Sequence, residues 1–167
     1  MQVELSPVRG AFQLVVASDH AGLDLKAELL RLLPLLAPTW AVEDLGLPPG
    51  DPTDDYPDAA RLVAARVSEG SAERGILICG SGIGVAIAAN KYPGVGAAAL
   101  RDAGSAARGV LTEGLNVLCL AGRVLRPVEA AEIVAAFLAS EPIAAPTYPA
   151  PGSSPVRSVR DGRRLRG

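Results

Sequence analysis

Two hydrophobic rhythms alternate along this chain. Phe12 to Ser18 is a short apolar, β-prone run. After Asp19-His20-Ala21-Gly22 the spacing changes, and Leu23, Leu25, Leu29, Leu30 and Leu33 recur at helical intervals. Thr39 to Leu45 reads as a second strand. Pro57 to Ser68 reads as a second helix, with Ala59, Leu62, Val63 and Val67 on one face and proline near its first position. Gly75 to Cys79 is a third apolar run, entering Gly80-Ser81-Gly82-Ile83-Gly84 and an alanine-rich helix that ends near Lys91, ahead of Pro93. Val95 to Leu100 predicts a fourth strand, Gly104 to Gly109 a short helix, Asn116 to Leu120 a fifth strand, and Pro127 to Ser140 the last long helix.

Strands that alternate with helices require parallel βαβ units with right-handed crossovers. The expected fold class is therefore α/β: a single-domain, doubly wound, Rossmann-like sheet of five parallel strands with helices on both faces. Ligands of such sheets bind beyond the carboxyl ends of the strands, where the polar and glycine-rich segments of this chain fall.

At 167 residues and 49% hydrophobic, the chain has material for one core. The domain is expected over residues 1–140. Residues 141–167 form a Pro-, Ala- and Ser-rich connector, Glu141 to Pro155, and a tail, Val156 to Gly167, holding five arginines. A formal charge of −2 gives no general attraction to nucleic acid or an anionic membrane, so an anion must find a local pocket. The apolar stretches are interrupted before reaching a bilayer-spanning length of about 18 to 20 residues. Two cysteines make no disulfide framework and no signal-peptide pattern opens the chain, so a cytoplasmic location is expected.

The segment Cys79 to Gly84 lies where a strand turns into a helix. Glycines there let backbone N–H groups approach an anion, and the helix dipole favours negative charge. Gly80, Gly82 and Gly84 depart from dinucleotide-fingerprint spacing and follow the third strand, which argues against a nucleotide site. Cys79 has two readings: a small core residue, or a thiol whose thiolate is stabilised by the adjacent helix start and serves as a proton-transfer base. Cys119 has no such neighbour and reads as core. Asp19 reads as a helix N-cap or as a site carboxylate. His20, the only histidine, argues against a zinc site and suits a phosphate or sugar hydroxyl. Asp55-Tyr56-Pro57 is a helix start that also presents a phenol near the strand ends. Arg157 and Arg160 belong to a solvated tail or fold back onto a phosphate.

Taken together, Ser18-Asp19-His20-Ala21-Gly22 with Leu25-Lys26, Asp55-Tyr56-Pro57, Gly75 through Gly84, Ala88-Ala89-Asn90-Lys91, Asn116-Val117-Leu118 and Gly122-Arg123 closely resemble the ribose-5-phosphate isomerase B family, which includes the galactose-6-phosphate isomerase subunits. The resemblance spans roughly residues 12 to 139. It implies an aldose–ketose isomerase that works through a cis-enediolate without metal or organic cofactor, on a small sugar phosphate, in a homodimer whose active sites are shared between subunits. On that analogy Cys79 moves the proton between C1 and C2, and Asp19 handles the hydroxyl proton. The N–H groups of Gly80, Gly82 and Gly84, with Ser81, hold the oxyanion. Tyr56, His20, Arg123, Asn116 and Arg157 contact substrate or phosphate.

Two departures stand out. The family carries paired arginines near the C-terminus, whereas this chain keeps Arg157 and has Ser153 at the earlier position. Thr112 and Glu113 occupy the positions of a His-Asn pair whose histidine opens the furanose ring in the ribose-phosphate enzymes. Threonine does not titrate near neutral pH and cannot replace it. The expected substrate is then ribose 5-phosphate handled with Glu113 in the histidine's place, or a four-carbon, open-chain sugar phosphate. The alternative from another class is a weakly catalytic sugar-phosphate-binding or regulatory protein.

Overall fold

The computed structural model describes residues 12–46 and 55–143. Five strands alternate with helices: β1 (Phe12–Ser18), α1 (Leu23–Leu36), β2 (Trp40–Asp44), α2 (Tyr56–Ser68), β3 (Arg74–Cys79), α3 (Ile83–Ala89), β4 (Ala97–Ala99), α4 (Ala103–Glu113), β5 (Val117–Ala121) and α5 (Pro127–Ala139). A single 3-10 turn, His20–Gly22, precedes α1. All strand pairs are parallel, in the order β2-β1-β3-β5-β4.

Handedness then assigns the helices to faces. The crossovers from β2 to β3 and from β3 to β4 move in one direction across the sheet, and their helices α2 and α3 share a face with Val15, Ala17, Leu77, Cys79 and Cys119. The crossovers from β1 to β2 and from β4 to β5 move the other way, so α1 and α4, joined by α5, cover Leu14, Val16, Ile76, Ile78, Leu118 and Leu120. β3 and β5 are buried along their whole length, as strands covered on both faces must be. Burial pushes the Cys119 thiol pKa far up, and this cysteine is core. Among the described residues no helix is long and apolar enough to cross a membrane.

From β1 the chain crosses to β2 on one side and then returns to β3 on the other, so the crevice of a doubly wound sheet lies between Ser18 and Cys79. The other end of the sheet is occupied by structure. Arg74, 7% exposed, donates to the carbonyls of Phe137 and Ser140 and lies 5.2 Å from both the Trp40 and Phe137 ring centres. It thereby satisfies carbonyls at the end of α5 that have no intrahelical partner. Desolvation lowers its pKa from the ordinary arginine value.

The fourth strand, Ala97–Ala99, is shorter than the apolar run Val95 to Leu100 suggests, although backbone bonds to the β5 segment continue at Gly96 and Leu100 on either side of it. Asn90 closes the outer edge at Ala97, donating to its carbonyl at 2.7 Å and accepting from its N–H at 2.8 Å. A short edge closed in this way offers little to a foreign strand. The fourth helix is longer than expected. Asp102 caps its start by accepting from Ser105 N–H at 2.7 Å, and Gly114 ends it with φ +72°.

Arg74→Met keeps the length of the side chain but removes its donors and its charge. Two hydrogen bonds from a charged group at about 1.5–3 kcal/mol each set the scale. The variant is expected to lose about 3 kcal/mol of unfolding free energy in a urea titration.

Candidate active site

Three segments meet at the carboxyl ends of the central strands. From β1 comes Asp19, 5% exposed, whose Oδ1 accepts from the N–H groups of Ala21 at 2.9 Å and Gly22 at 3.2 Å. It is the N-cap of the 3-10 turn, and its own N–H donates to the carbonyl of Ile78 at 3.1 Å. The cap fixes the carboxylate beside the end of β3. His20, the next residue, is exposed at the rim.

From β3 comes Cys79, 4% exposed, with Gly82 N–H donating to its Sγ at 3.2 Å. A thiolate accepts such a bond more strongly than a thiol. Gly82 takes φ +77°, and a Cβ there would also meet the carbonyl carbon of Leu120 at 3.1 Å. Both constraints require glycine. The exposed Ser81 hydroxyl accepts from Ile83 N–H at 3.2 Å. Tyr56, at the start of α2, lies flat against Gly84, where a Cβ would stand 3.0 Å from the ring. Asp55 caps α2, accepting from Tyr56 N–H at 2.7 Å, and so places that ring.

From β5 comes Arg123. Its backbone N–H donates to the carbonyl of Gly80 at 3.2 Å, and its guanidinium is close enough that a Cβ on Gly80 would come within 3.2 Å of Nη1. A carboxylate, a thiol, a hydroxyl, a phenol and a guanidinium therefore converge around the turn from Cys79 to Gly84.

Other candidate residues lie elsewhere. Asn116 precedes β5 and stands level with Arg74 at the amino end of the sheet. That is five residues from Cys79, roughly 16 Å at about 3.3 Å per residue. Its side chain accepts from Gly96 N–H at 2.9 Å and donates to the carbonyl of Gly94 at 2.8 Å, holding the approach to β4. Glu113 ends α4 at the same end of the sheet. Thr112 beside it donates to the carbonyl of Arg108 at 3.0 Å and lies 3.3 Å from Glu113 Oε1. A cavity of about 320 Å³ opens there between β4 and α4, with Asn90, Arg108 and Glu113 among its walls, and none of the residues around Cys79 line it. Arg157 lies outside the described residues. Among the described residues no three His, Cys, Asp or Glu side chains gather in a metal-binding group.

Gly22 and Gly122, where the backbones of the β1 and β5 loops approach closely, do not stand out individually in the sequence. The available signal was Gly122 directly after the buried β5, since close backbone approach is one usual reason for such a glycine.

A family model described as ribose/galactose isomerase matches residues 14–146. A probable ribose-5-phosphate isomerase B of Mycoplasma pneumoniae is 43% identical over 75% of this chain and 82% of its own length. A D-erythrulose-4-phosphate isomerase 2 of Mycolicibacterium smegmatis is 41% identical over 69% of this chain and 76% of its own length. The crystal structure of ribose-5-phosphate isomerase B from Mycoplasma genitalium, with bound ribulose-5-phosphate, superposes with a TM-score of 0.71 at 43% identity, covering 78% of this chain and 85% of that one.

Gly82→Ala forces a side chain into left-handed backbone against Leu120. The conformational penalty alone is roughly 1–2 kcal/mol. The variant is expected to unfold at lower urea concentration and to lose activity beyond what its residual folded fraction accounts for, with circular dichroism and turnover measured on the same samples.

Proposed function

This chain belongs to the ribose/galactose isomerase family, and from that premise we propose that it interconverts an aldose phosphate and its ketose through a cis-enediolate. The observation that carries the reading is the Gly82 N–H directed at Cys79 Sγ, inside a turn faced by Arg123 and Tyr56.

In the forward direction the Cys79 thiolate removes the C2 proton of the open-chain aldose. The negative charge that develops on O1 is met by backbone N–H groups of the Gly80–Gly84 turn and by the Ser81 hydroxyl. Donors set in place before the charge forms lower such a barrier most. Asp19 relays the hydroxyl proton from O2 to O1, and Cys79 returns its proton to C1. The thiol is then ready for another turnover with no net change in the protein. Tyr56 holds the sugar, while His20, Arg123 and Arg157 contact the phosphate.

Glu113 and Asn116 lie too far from Cys79 of their own chain to touch the same substrate. We assign them to the site of a second copy, making the working unit a homodimer. Exposed apolar side chains beside the site support this. Ile83 and Ile87, one turn apart on α3, are 53% and 61% exposed, and Tyr56 next to them is 41% exposed.

The substrate follows from Thr112. A pentose 5-phosphate closes to a furanose that must be opened before C2 can be deprotonated, and acid–base assistance to such a step is typically worth about 10² to 10⁴ in rate. A tetrose 4-phosphate has its O4 esterified, forms no furanose ring and needs no such assistance. The substrate is accordingly a four-carbon, open-chain sugar phosphate, a chemistry that the name of the Mycolicibacterium smegmatis relative carries and that of the Mycoplasma pneumoniae relative does not.

Steady-state kinetics with erythrose 4-phosphate and ribose 5-phosphate tests this reading. Wild type is expected to prefer the tetrose phosphate in kcat/KM by at least about tenfold, with ribose 5-phosphate improving in Thr112→His. Efficient turnover of ribose 5-phosphate by wild type, lost in Glu113→Gln, would replace the four-carbon reading with ring opening by Glu113. Turnover of neither sugar would favour a binding or regulatory protein.

A further inference from the structure

The loops that follow β1 and β5 flank β3 from opposite sides, and they meet each other above its end. Gly122 N–H donates to the carbonyl of Cys79 at 2.7 Å, the last rung between β5 and β3. A residue at such a rung normally carries its side chain off one face of the sheet. Here a Cβ on Gly122 would stand 2.7 Å from the carbonyl oxygen of Ala21, 3.0 Å from Gly22 Cα and 3.3 Å from the carbonyl oxygen of Cys79. A Cβ on Gly22 would stand 2.7 Å from both the carbonyl oxygen and Cγ2 of Ile78. Neither glycine has positive φ among the described residues, so what each position demands is space.

The junction closes over β3 on the side of Ile78, which faces α1 and α5. With that side occupied, the chain beyond Cys79 leaves by the opposite face, where α2 and α3 lie and where Cys79 itself points. The carbonyls of Cys79 and Gly80 are both bonded from the β5 loop, by Gly122 and Arg123 N–H respectively. Those two bonds set the orientation of the peptides that follow, including the one whose N–H reaches Cys79 Sγ.

We propose that Gly122, with Gly22 against it, is a positioning residue for the Cys79–Gly82 turn: its missing Cβ lets the β1 and β5 loops close over β3 and aim the backbone N–H groups of the turn. The catalytic consequence rests on the isomerase reading given above, whereas the structural coupling does not.

Gly122→Ala separates the two. The control is Gly75→Ala, which crowds Val63 at the far end of the same strand. Amide resonances of Gly80, Gly82 and Ile83 are expected to shift in folded Gly122→Ala and to stay at their wild-type positions in Gly75→Ala. A displacement of about 1 Å in a catalytic array costs on the order of 10²-fold in rate. In Gly122→Ala kcat should fall by about that factor with KM changed less than about threefold, while Gly75→Ala keeps wild-type kcat. Gly22→Ala presses on the same junction through Ile78 and supplies the same two readouts if Gly122→Ala does not fold. Unchanged amide resonances in the folded variant overturn the coupling. Shifted resonances with wild-type kcat overturn the positioning role. If wild type turns over no sugar phosphate, the isomerase reading fails while the resonances still decide the coupling.

Discussion

On the side of Ile78 the end of β3 is closed by the backbones of the β1 and β5 loops, which leave no room for a side chain at Gly22 or Gly122. Ile78 and Cys79 receive N–H groups from the strands on either side, Asp19 of the β1 loop and Gly122 of the β5 loop, and those two loops then touch each other. Close-packed interiors transmit such contacts without slack. The position of Cys79 therefore depends on three strands at once. Asp19 comes from the first of these segments, Cys79 and the glycine turn from the second, and Arg123 from the third, so the chemical groups inherit the rigidity of the sheet's centre.

The two ends of the sheet are built differently. At the carboxyl end, polar groups converge on a turn that leaves backbone N–H groups near a thiol. At the amino end, Arg74 lies between Trp40 and Phe137 and ties down the last turn of α5. Asn116 and Asn90 hold the approach to β4 from its two sides with four hydrogen bonds. A single chain thus keeps Glu113 and Cys79 at opposite ends of one rigid body. For both to serve one substrate, two bodies must meet, which is why a dimer is part of the proposed function.

The apolar runs were legible because β3 and β5 are buried on both faces and need continuous hydrophobic sequence. The strand order was not, since nothing local distinguishes an outgoing crossover from a returning one, and β4 reaches the edge before the chain turns back to β5. The fourth helix was underestimated because Gly104 and Gly109 argue against helix by propensity. Asp102 and Gly114 override them as caps, and Gly109 is where Leu115 packs, leaving no space for a Cβ. Asp19 shows the limit of reading roles from residue type: the two readings do not exclude each other, since the N-cap holds the same carboxylate that the proposed mechanism uses. Arg74 escaped notice because a charge next to an apolar run looks like its boundary, whereas here it is the buried first residue of β3.

In the proposed reaction Cys79 exchanges a carbon-bound proton of a sugar phosphate. The most direct measurement is proton NMR of erythrulose 4-phosphate and ribulose 5-phosphate incubated with the protein in deuterium oxide. Wild type should introduce deuterium at C1 of at least one ketose, and Cys79→Ala, folded and still binding that ketose, should introduce none above the uncatalysed rate. Deuterium incorporation by Cys79→Ala at the wild-type rate would mean that Cys79 is not the base.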